Sequence, residues 1–148
     1  MLQNTCVKLD VITGIDIGKV GNVALSTGYR CIVTNDEDVH NLFKQLAQYG
    51  TTTLALEQHD DYSKNKRKSI RGLFIANDLI VRYARNRPFG YVNIILVDKF
   101  KSSIICSSCK FVDKKSRVTP WLFECTYCSF RINADVNAAK NIKYAAES

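Results

Sequence analysis

The sequence lacks the features of membrane, exported and repetitive proteins. No apolar run approaches the ~20 residues that a membrane-spanning helix needs. Residues 1–10 have no basic region followed by an apolar stretch, so no signal peptide is indicated. Internal repeats and low-complexity segments are also absent from the sequence. We therefore expect an intracellular protein, cytoplasmic or nucleoid-associated, whose thiols stay reduced, and its 6 cysteines need an explanation other than disulfides.

Acidic residues are also in short supply, with 14 Asp and Glu against 21 Lys and Arg and a net charge of +7. This excess favours a polyanionic partner, most often a nucleic acid, although a soluble protein can be basic without one. The length of 148 residues suits one domain, and the apolar fraction of 46% is that of a folded protein. Global disorder, collagen and coiled coil are therefore excluded.

The order of elements predicted from hydrophobic periodicity indicates an α/β protein. We expect strands over residues 11–17, 23–26, 29–34, 51–57 and 91–97, and helices between 35 and 50, 69 and 85, and 134 and 146. A three-stranded meander followed by helices alternating with strands is the order of an RNase H-like fold, a mixed five-stranded sheet with flanking helices. The residues expected on the core side of the second helix are Ile70, Leu73, Phe74, Ile80, Val81 and Ala84.

Four cysteines lie in a segment of little periodicity, residues 101–131. Cys106 and Cys109 form one CxxC pair, Cys125 and Cys128 form another, and 15 residues separate the pairs. This spacing is typical of a structural zinc site, because two tight turns can present four thiolates to one tetrahedral ion. Four buried thiols or a redox CxxC are the alternatives, and the matched pairs argue against both. The segment has little core of its own, so metal binding would supply most of its folding energy.

The same segment carries an aromatic and several basic side chains. Trp121 stands among basic residues of the segment, which suits stacking on bases and pairing with phosphates. An equally good interpretation is that Trp121 packs on the zinc knuckle.

Three acidic residues occupy positions where solvated surface acids are not expected. Asp16 lies inside the apolar run 11–17, Glu57 ends an apolar strand, and Asp135 begins the last helix. In an RNase H-like sheet the first and fourth strands are adjacent and the last helix packs beside them, so the three carboxylates would converge. Taken singly, each acid could be a helix cap or an ion-pair partner.

Mutually repelling carboxylates on one patch imply divalent cations, and oxygen ligands favour Mg²⁺ or Mn²⁺. We expect Asp16 to bridge two ions about 4 Å apart, with Glu57 and Asp135 each holding one. Such a pair of ions would activate a water and stabilise the leaving oxygen of a phosphodiester.

Several strings together resemble a known family. They are Gly14-Ile-Asp-Ile-Gly18, Leu54-Ala-Leu-Glu57, the two CxxC pairs and Asp135-Val-Asn-Ala-Ala-Lys-Asn-Ile142. They resemble the RuvC-like nuclease domain of the TnpB (OrfB) transposon-associated proteins, to which the compact type V CRISPR effector nucleases are related. In that family a zinc ribbon precedes the third catalytic motif, as it does here.

The resemblance implies a single RuvC-like nuclease domain over residues 1–148 with a four-cysteine zinc ribbon inserted at 101–131. It implies metal-dependent cleavage of DNA, guided by RNA in full-length members, with Asp16, Glu57 and Asp135 as catalytic acids. The sequence begins almost at the first motif, so the N-terminal guide-binding region of full-length members is expected to be missing. DNA is the expected partner, and guide RNA or an RNA-binding partner chain is a further candidate. Where the family usually has glycine after the second and fourth cysteines, this chain has Lys110 and Ser129.

A basic stretch follows the second acid and has two interpretations. Its expected phosphate-contacting residues are Lys64, Lys66, Arg67, Lys68 and Arg71. The alternative is a solvated loop leading into a helix.

Two other functions fit parts of the sequence. A zinc-ribbon nucleic-acid-binding or accessory protein derived from a TnpB-like element would share every motif without catalysis. The string Gly14–Gly18 also resembles the phosphate-binding turn of sugar kinases and actin-like ATPases, but those proteins need two such domains and have no zinc ribbon.

Overall fold

The computed structural model describes residues 10–58, 70–86, 92–98 and 100–148. Within these ranges, seven strands and three helices follow one another. They are β1 (Ile12–Ile17), β2 (Asn22–Leu25), β3 (Arg30–Ile32), α1 (Asp36–Gln48), β4 (Thr53–Glu57), α2 (Arg71–Asn86), β5 (Asn93–Val97), β6 (Leu122–Glu124), β7 (Arg131–Asn133) and α3 (Ala134–Glu147). Each element predicted from the sequence is present, with boundaries within a few residues of those expected.

Five strands form the main sheet in the order β3-β2-β1-β4-β5. β1 runs antiparallel to β2 and parallel to β4, and β4 runs parallel to β5. This mixed sheet, with the first and fourth strands side by side, confirms the predicted RNase H-like fold. β6 and β7 pair with each other in a separate two-stranded sheet within the cysteine-rich segment.

The main core lies between one face of the sheet and the helices α1 and α2. Alternate residues of β1, Ile15 and Ile17, point into it, as do Leu54 and Leu56 of β4. The sequence placed Phe74 on the core side of α2, and this was wrong, since Phe74 is 50% exposed. The buried face of α2 is formed by Leu73, Ala76, Ile80 and Ala84, which recur at helical spacing, and Phe74 lies about 100° away from Leu73 on that helix.

The other face of the sheet is covered by α3. Gly14 of β1 makes this possible, because a Cβ atom at that position would lie 2.1 Å from the carbonyl oxygen of Ala139. The contacting face of α3 is also small, with Ala138 and Ala139 buried beside Ile142. The helix therefore packs almost directly on the backbone of the central strand.

None of the described helices is both long and apolar enough to cross a membrane. Cys31 lies on β3 and is partly buried, and burial raises the pKa of its thiol to about 11. Cys6 lies outside the described residues.

Candidate functional site

Asp16 projects from the central strand of the sheet toward α3. It is two residues from Gly14 on β1, so both lie on the face that α3 covers, opposite the apolar core. Its backbone pairs with that of Ala24 in β2, while the neighbouring residue Ile15 pairs with Leu56 in β4. Asp16 is therefore flanked by β2 on one side and by the end of β4 on the other.

Glu57 is the last residue of β4 and continues that register beside Asp16. Its Oε2 atom accepts hydrogen bonds from the backbone N–H of Phe100 (3.2 Å) and from the hydroxyl of Ser102 (3.3 Å). Ser102 is buried. The segment that leads into the cysteine-rich region thus fixes the orientation of the Glu57 carboxylate.

Asp135 stands in the first turn of α3, where a negative charge is favoured by the helix dipole. The helix is capped by Asn133, whose side-chain oxygen accepts from the N–H groups of Asp135 and Val136, both at 3.0 Å. The Asp135 carboxylate accepts a hydrogen bond from the Asn22 amide of β2 at 3.2 Å. A guanidinium nitrogen of Arg117 lies 3.8 Å from its other oxygen.

The three acids line one cavity of about 500 Å³. Lys19 and Arg117 contribute positive charge to its wall, and Asn22 and Ser102 contribute hydrogen-bonding groups. The structure thus brings together the three residues that the sequence singled out, although they are 41 and 78 positions apart along the chain (57 − 16 and 135 − 57).

The electrostatics of the cavity are dominated by Asp16. Burial, followed by the charges of Asp135 and then Glu57, raises the pKa of Asp16 to about 7, while Arg117 acts in the opposite direction. Three carboxylates in a partly dry cavity therefore lack sufficient compensating positive charge from the protein. That deficit, together with an all-oxygen ligand set, fits divalent cations such as Mg²⁺ or Mn²⁺.

The acids share a cavity, but they are not gathered around a single point. In the described part of the chain, the four cysteines are the one group of candidate metal ligands whose atoms converge closely enough to share one ion. Asp16 lies on the central strand, with Glu57 and Asp135 to either side. The assignment of two ions to these acids stays a prediction.

Four polar or charged residues of this cavity were not identified as part of the acid site from the sequence: Lys19, Asn22, Ser102 and Arg117. Arg117 is one of the basic residues of the cysteine-rich segment, and Lys19 lies between β1 and β2. Asn22 and Ser102 are polar residues at a strand start and in a loop, where such residues are common. No local pattern could have connected any of the four with the acids.

The four cysteines of the two CxxC pairs form a compact cluster. All four sulfur atoms lie within 4.8 Å of one another. Cys106 and Cys128 are 3.7 Å apart, and Cys109 and Cys125 are 3.6 Å apart, between Sγ atoms. A tetrahedron with Zn–S bonds of about 2.3 Å has an edge of about 3.8 Å. The cluster therefore has the ligand type and spacing of a structural zinc site.

The two CxxC turns have the same backbone geometry. In each, the second cysteine donates its N–H to the first sulfur at 3.4 Å, as seen for Cys109 and Cys128. The residue after each pair, Lys110 or Ser129, turns back to bond the carbonyl of the first cysteine at 2.9 and 3.0 Å. These two residues have left-handed φ angles of 71° and 67°. This conformation, which glycine adopts without strain, explains the family's preference for glycine there.

Two asparagines of α3 hold the cysteine-rich segment against the sheet. The buried Asn137 accepts from Ser107 N (2.9 Å) and donates to the carbonyl of Ile105 (2.8 Å). Asn141 donates to the carbonyls of Ser102 (2.9 Å) and Ile105 (2.7 Å). The helix that carries Asp135 is therefore fastened to the loop that orients Glu57 and enters the first cysteine turn.

The predicted phosphate-contacting residues lie mostly beyond the part of the chain that can be described. Lys64, Lys66, Arg67 and Lys68 fall outside the described residues. Arg71 is exposed at the first position of α2 and does not line the acid cavity. Asp98, which follows β5, is exposed and also lies outside the cavity wall.

Comparison with known proteins finds sequence relatives of one segment of the chain and structural relatives of most of it. Residues 90–142 match the family model described as Cas12f1-like, TNB domain. Over 51 residues the chain is 37% identical to the CRISPR-associated endodeoxyribonuclease Cas12f1 of Sulfoacidibacillus thermotolerans. That segment makes up 34% of this chain and 12% of the relative.

Solved structures resemble the chain over a longer range. The Cas12f1 chain of a Cas12f1–sgRNA–target DNA complex aligns with a TM-score of 0.64 and 18% identity, covering 91% of this chain and 51% of that chain. RuvC of Thermus thermophilus aligns with a TM-score of 0.51 and 14% identity, covering 90% of this chain and 91% of that one. The chain thus spans about half the length of the Cas12f1 structure that it resembles.

At these identities the structural matches establish the fold, while the sequence match establishes the relationship of the cysteine-rich region. The resemblance predicted from the motifs is confirmed by both. The chain has a RuvC-like fold, and its residues 90–142 match the Cas12f1-like TNB domain, in keeping with the 51-residue sequence match to Cas12f1.

Proposed function

We propose that this chain is a divalent-metal-dependent DNA endonuclease that hydrolyses phosphodiester bonds in the cavity lined by Asp16, Glu57 and Asp135. The observation that carries the proposal is the position of Asp16. It lies half-buried on the central strand between two other acids, and its pKa of about 7 reflects this desolvation first and then the negative charges of Asp135 and Glu57. A fold has no structural need for such a cluster, because burying three acids together is unfavourable unless cations neutralise them.

Two of the acids are oriented by neighbouring groups of the fold. Ser102 and the Phe100 N–H orient Glu57, and Asn22 orients Asp135. Asp16 lies between them on the central strand, with its side chain directed into the same cavity. Mg²⁺ or Mn²⁺ held by the three acids would supply Lewis-acid activation of water and stabilisation of the leaving oxygen.

Basic side chains in the cavity would position the nucleic acid. Arg117 reaches the acids from the cysteine-rich segment, where one of its guanidinium nitrogens donates to the carbonyl of Pro120 at 2.8 Å. Lys19 lines the same cavity from the turn between β1 and β2. A phosphodiester entering the cavity would meet both cations, and its negative charge would be balanced while the acids are occupied by metal.

The choice of DNA as substrate is supported by the relatives. The matched curated protein is an endodeoxyribonuclease, and the structure aligned at a TM-score of 0.64 is a complex with sgRNA and target DNA. RNA is therefore a second candidate partner of this chain, as a guide or through an RNA-binding partner protein. A TnpB-like, transposon-associated origin is part of the same proposal.

Cleavage of labelled single-stranded, duplex and four-way-junction DNA tests the proposal, with zinc-loaded protein and added Mg²⁺ or Mn²⁺. We expect cleavage that requires the added cation and that is lost in Asp16→Asn and Glu57→Gln. Asp98→Asn is the matched control, because this exposed acid follows the neighbouring strand and lies outside the cavity. The same substrates are assayed with RNA present.

Protein that binds DNA but cleaves none of the substrates under these conditions would reject the nuclease. The chain would then be a zinc-ribbon nucleic-acid-binding or accessory protein.

A further inference from the structure

A second groove adjoins the acid cavity on the side of the edge strand β3. It has a volume of about 280 Å³, and its walls include Arg30 and Ile32 of β3 and Trp121 of the cysteine-rich segment. Two residues, Asn22 and Asp135, line both this groove and the acid cavity. The two spaces are therefore neighbours, separated by the hydrogen bond that joins those two side chains.

Trp121 is exposed but its backbone is fixed beside the acid site. Its side chain is 66% exposed, which is unusual for the largest apolar side chain. Its carbonyl accepts a hydrogen bond of 2.8 Å from the N–H of Ala134, the residue that precedes Asp135. With its backbone fixed, the indole offers a flat apolar face, and ordering its two side-chain torsions costs little conformational entropy.

Arg30 provides the complementary charge. It is exposed at the start of β3 and forms no ion pair with any other residue in the described ranges. Ile32, also exposed, continues the groove along the same strand opposite Asn22. An aromatic face together with an available guanidinium is the combination that holds the bases and backbone of single-stranded nucleic acids.

We propose that this groove binds one unpaired nucleotide of a DNA strand whose neighbouring phosphate lies at the acids. The base stacks on Trp121 and the phosphate pairs with Arg30. A base within a duplex is already stacked on both faces, so the groove selects single-stranded or locally unpaired DNA. The inference rests on the proposed function, since the acids define which phosphate is cut.

Tryptophan fluorescence tests this directly, because Trp121 is the one tryptophan of the chain. The probe is a short oligothymidine, titrated into zinc-loaded protein without Mg²⁺ so that no cleavage occurs. We expect saturable quenching of the emission by the single strand. A duplex of the same length, shown by fluorescence anisotropy of a labelled copy to be bound, should leave the emission nearly unchanged.

Three variants assign the effect to the groove. Trp121→Ala should weaken oligothymidine binding by roughly tenfold, and Trp121→Phe, which keeps an aromatic face, by much less. Arg30→Gln should reduce the slope of log binding affinity against log salt concentration by about one, the loss of a single phosphate contact. Tyr127→Ala is the matched control, because Tyr127 is 75% exposed in the same segment but stacks on Phe111 and lines neither cavity.

The outcomes separate this inference from the nuclease itself. Cleavage of DNA by a protein whose emission does not respond to bound oligothymidine would overturn the subsite and leave the nuclease intact. Quenching by oligothymidine in a protein that never cleaves DNA would overturn the nuclease and leave the subsite intact. Equal quenching by duplex would overturn the preference for unpaired DNA. A concentration-dependent blue shift of the emission without DNA would instead place a second copy of the chain over Trp121, and would also overturn the proposal.

Discussion

Ser102 donates its hydroxyl to Oε2 of Glu57 over 3.3 Å, and its own carbonyl accepts a hydrogen bond of 2.9 Å from Asn141. One buried residue thus connects the end of β4 with the helix that carries Asp135. Because the same residue lies 4 positions before Cys106, the zinc-binding segment and the acid cavity share a structural support.

We predict that Ser102→Ala weakens the apparent Mg²⁺ affinity about tenfold, the usual size of the loss when a partner of a metal ligand is removed. The carboxylate of Glu57 would keep its bond to the Phe100 N–H but lose its second orienting donor. Cleavage rates measured against Mg²⁺ concentration check this, with the rate at saturating Mg²⁺ expected to change little.

Ser103→Ala is the control for that experiment. Ser103 also lines the acid cavity, but its hydroxyl forms no hydrogen bond with a described residue. Equal Mg²⁺ dependence in the Ser102 variant and the unaltered protein would show that Ser102 does not position Glu57.

The raised pKa of Asp16 predicts a pH-dependent gain in stability for Asp16→Asn without divalent cations. The folded protein holds the Asp16 proton up to a pH of about 7, whereas an unfolded aspartate releases it near 3.9. Well below pH 3.9 the residue is protonated in both states and costs nothing. As the pH rises from 4 to 7, the unfolded state alone gains the charge, and the folded protein loses stability relative to it.

A pKa shift of this size lowers the free energy of unfolding by at most about 4 kcal/mol above pH 7. The free energy of unfolding of Asp16→Asn should therefore exceed that of the unaltered protein at pH 8, and this pH-dependent excess should be small at pH 4 and vanish below it. Denaturant unfolding of the two proteins at each pH measures it. A gain in stability that is independent of pH would contradict the explanation.

Zinc removal should unfold the cysteine-rich segment but spare the main sheet. The core of that segment consists of Cys106, Cys125, Phe123 and Ala134 with two partly buried neighbours, and it is separate from the core beneath the main sheet. We expect one zinc per chain by native mass spectrometry, and loss of zinc in Cys106→Ser. Limited proteolysis should then cut within residues 101–131 while a fragment containing β1–β4 resists.

Cys31→Ser is the matched control, since Cys31 lies on β3 outside the cluster. It should keep its zinc and its resistance to proteolysis. Retention of zinc in Cys106→Ser would contradict a four-cysteine site.

The sheet could be predicted from the sequence because its determinants are local. The apolar stretches of β1 and β4 mark strands, and helical spacing in α1 marks a helix. The resulting order of elements is that of an RNase H-like fold, in which the first and fourth strands are adjacent. The error at Phe74 has a similar origin. An apolar residue adjacent to the buried face of α2 is indistinguishable by type from a residue on it.

The supports of the acids could not be predicted, because they join distant positions through ordinary polar residues. Asn22 and Asp135 are 113 residues apart, and Ser102 and Glu57 are 45 apart. Each hydrogen bond depends on how the cysteine-rich segment and α3 pack on the sheet. Asn137 and Asn141 belong to a motif recognised in the sequence, but only the structure shows that their side chains hydrogen-bond to the backbone of residues 102–107.

The left-handed residues of the two CxxC turns lead to different expectations for the same substitution, replacement by glycine. Ser129 and Lys110 both carry the strain of a positive φ angle, about 1 kcal/mol for a residue with a Cβ atom. Ser129→Gly should relieve it and raise the melting temperature by about 3 °C. Lys110→Gly should leave the melting temperature nearly unchanged, because the relief of strain is offset by the loss of two contacts of the lysine. Its Nζ atom donates to the Ser107 carbonyl at 3.0 Å and lies 3.8 Å from the centre of the Tyr144 ring.

Thermal unfolding in zinc-containing buffer measures both melting temperatures, with Ser129→Ala as the control that retains the strain. A melting temperature for Ser129→Gly no higher than that of Ser129→Ala would show that the left-handed turn is not under strain in this chain.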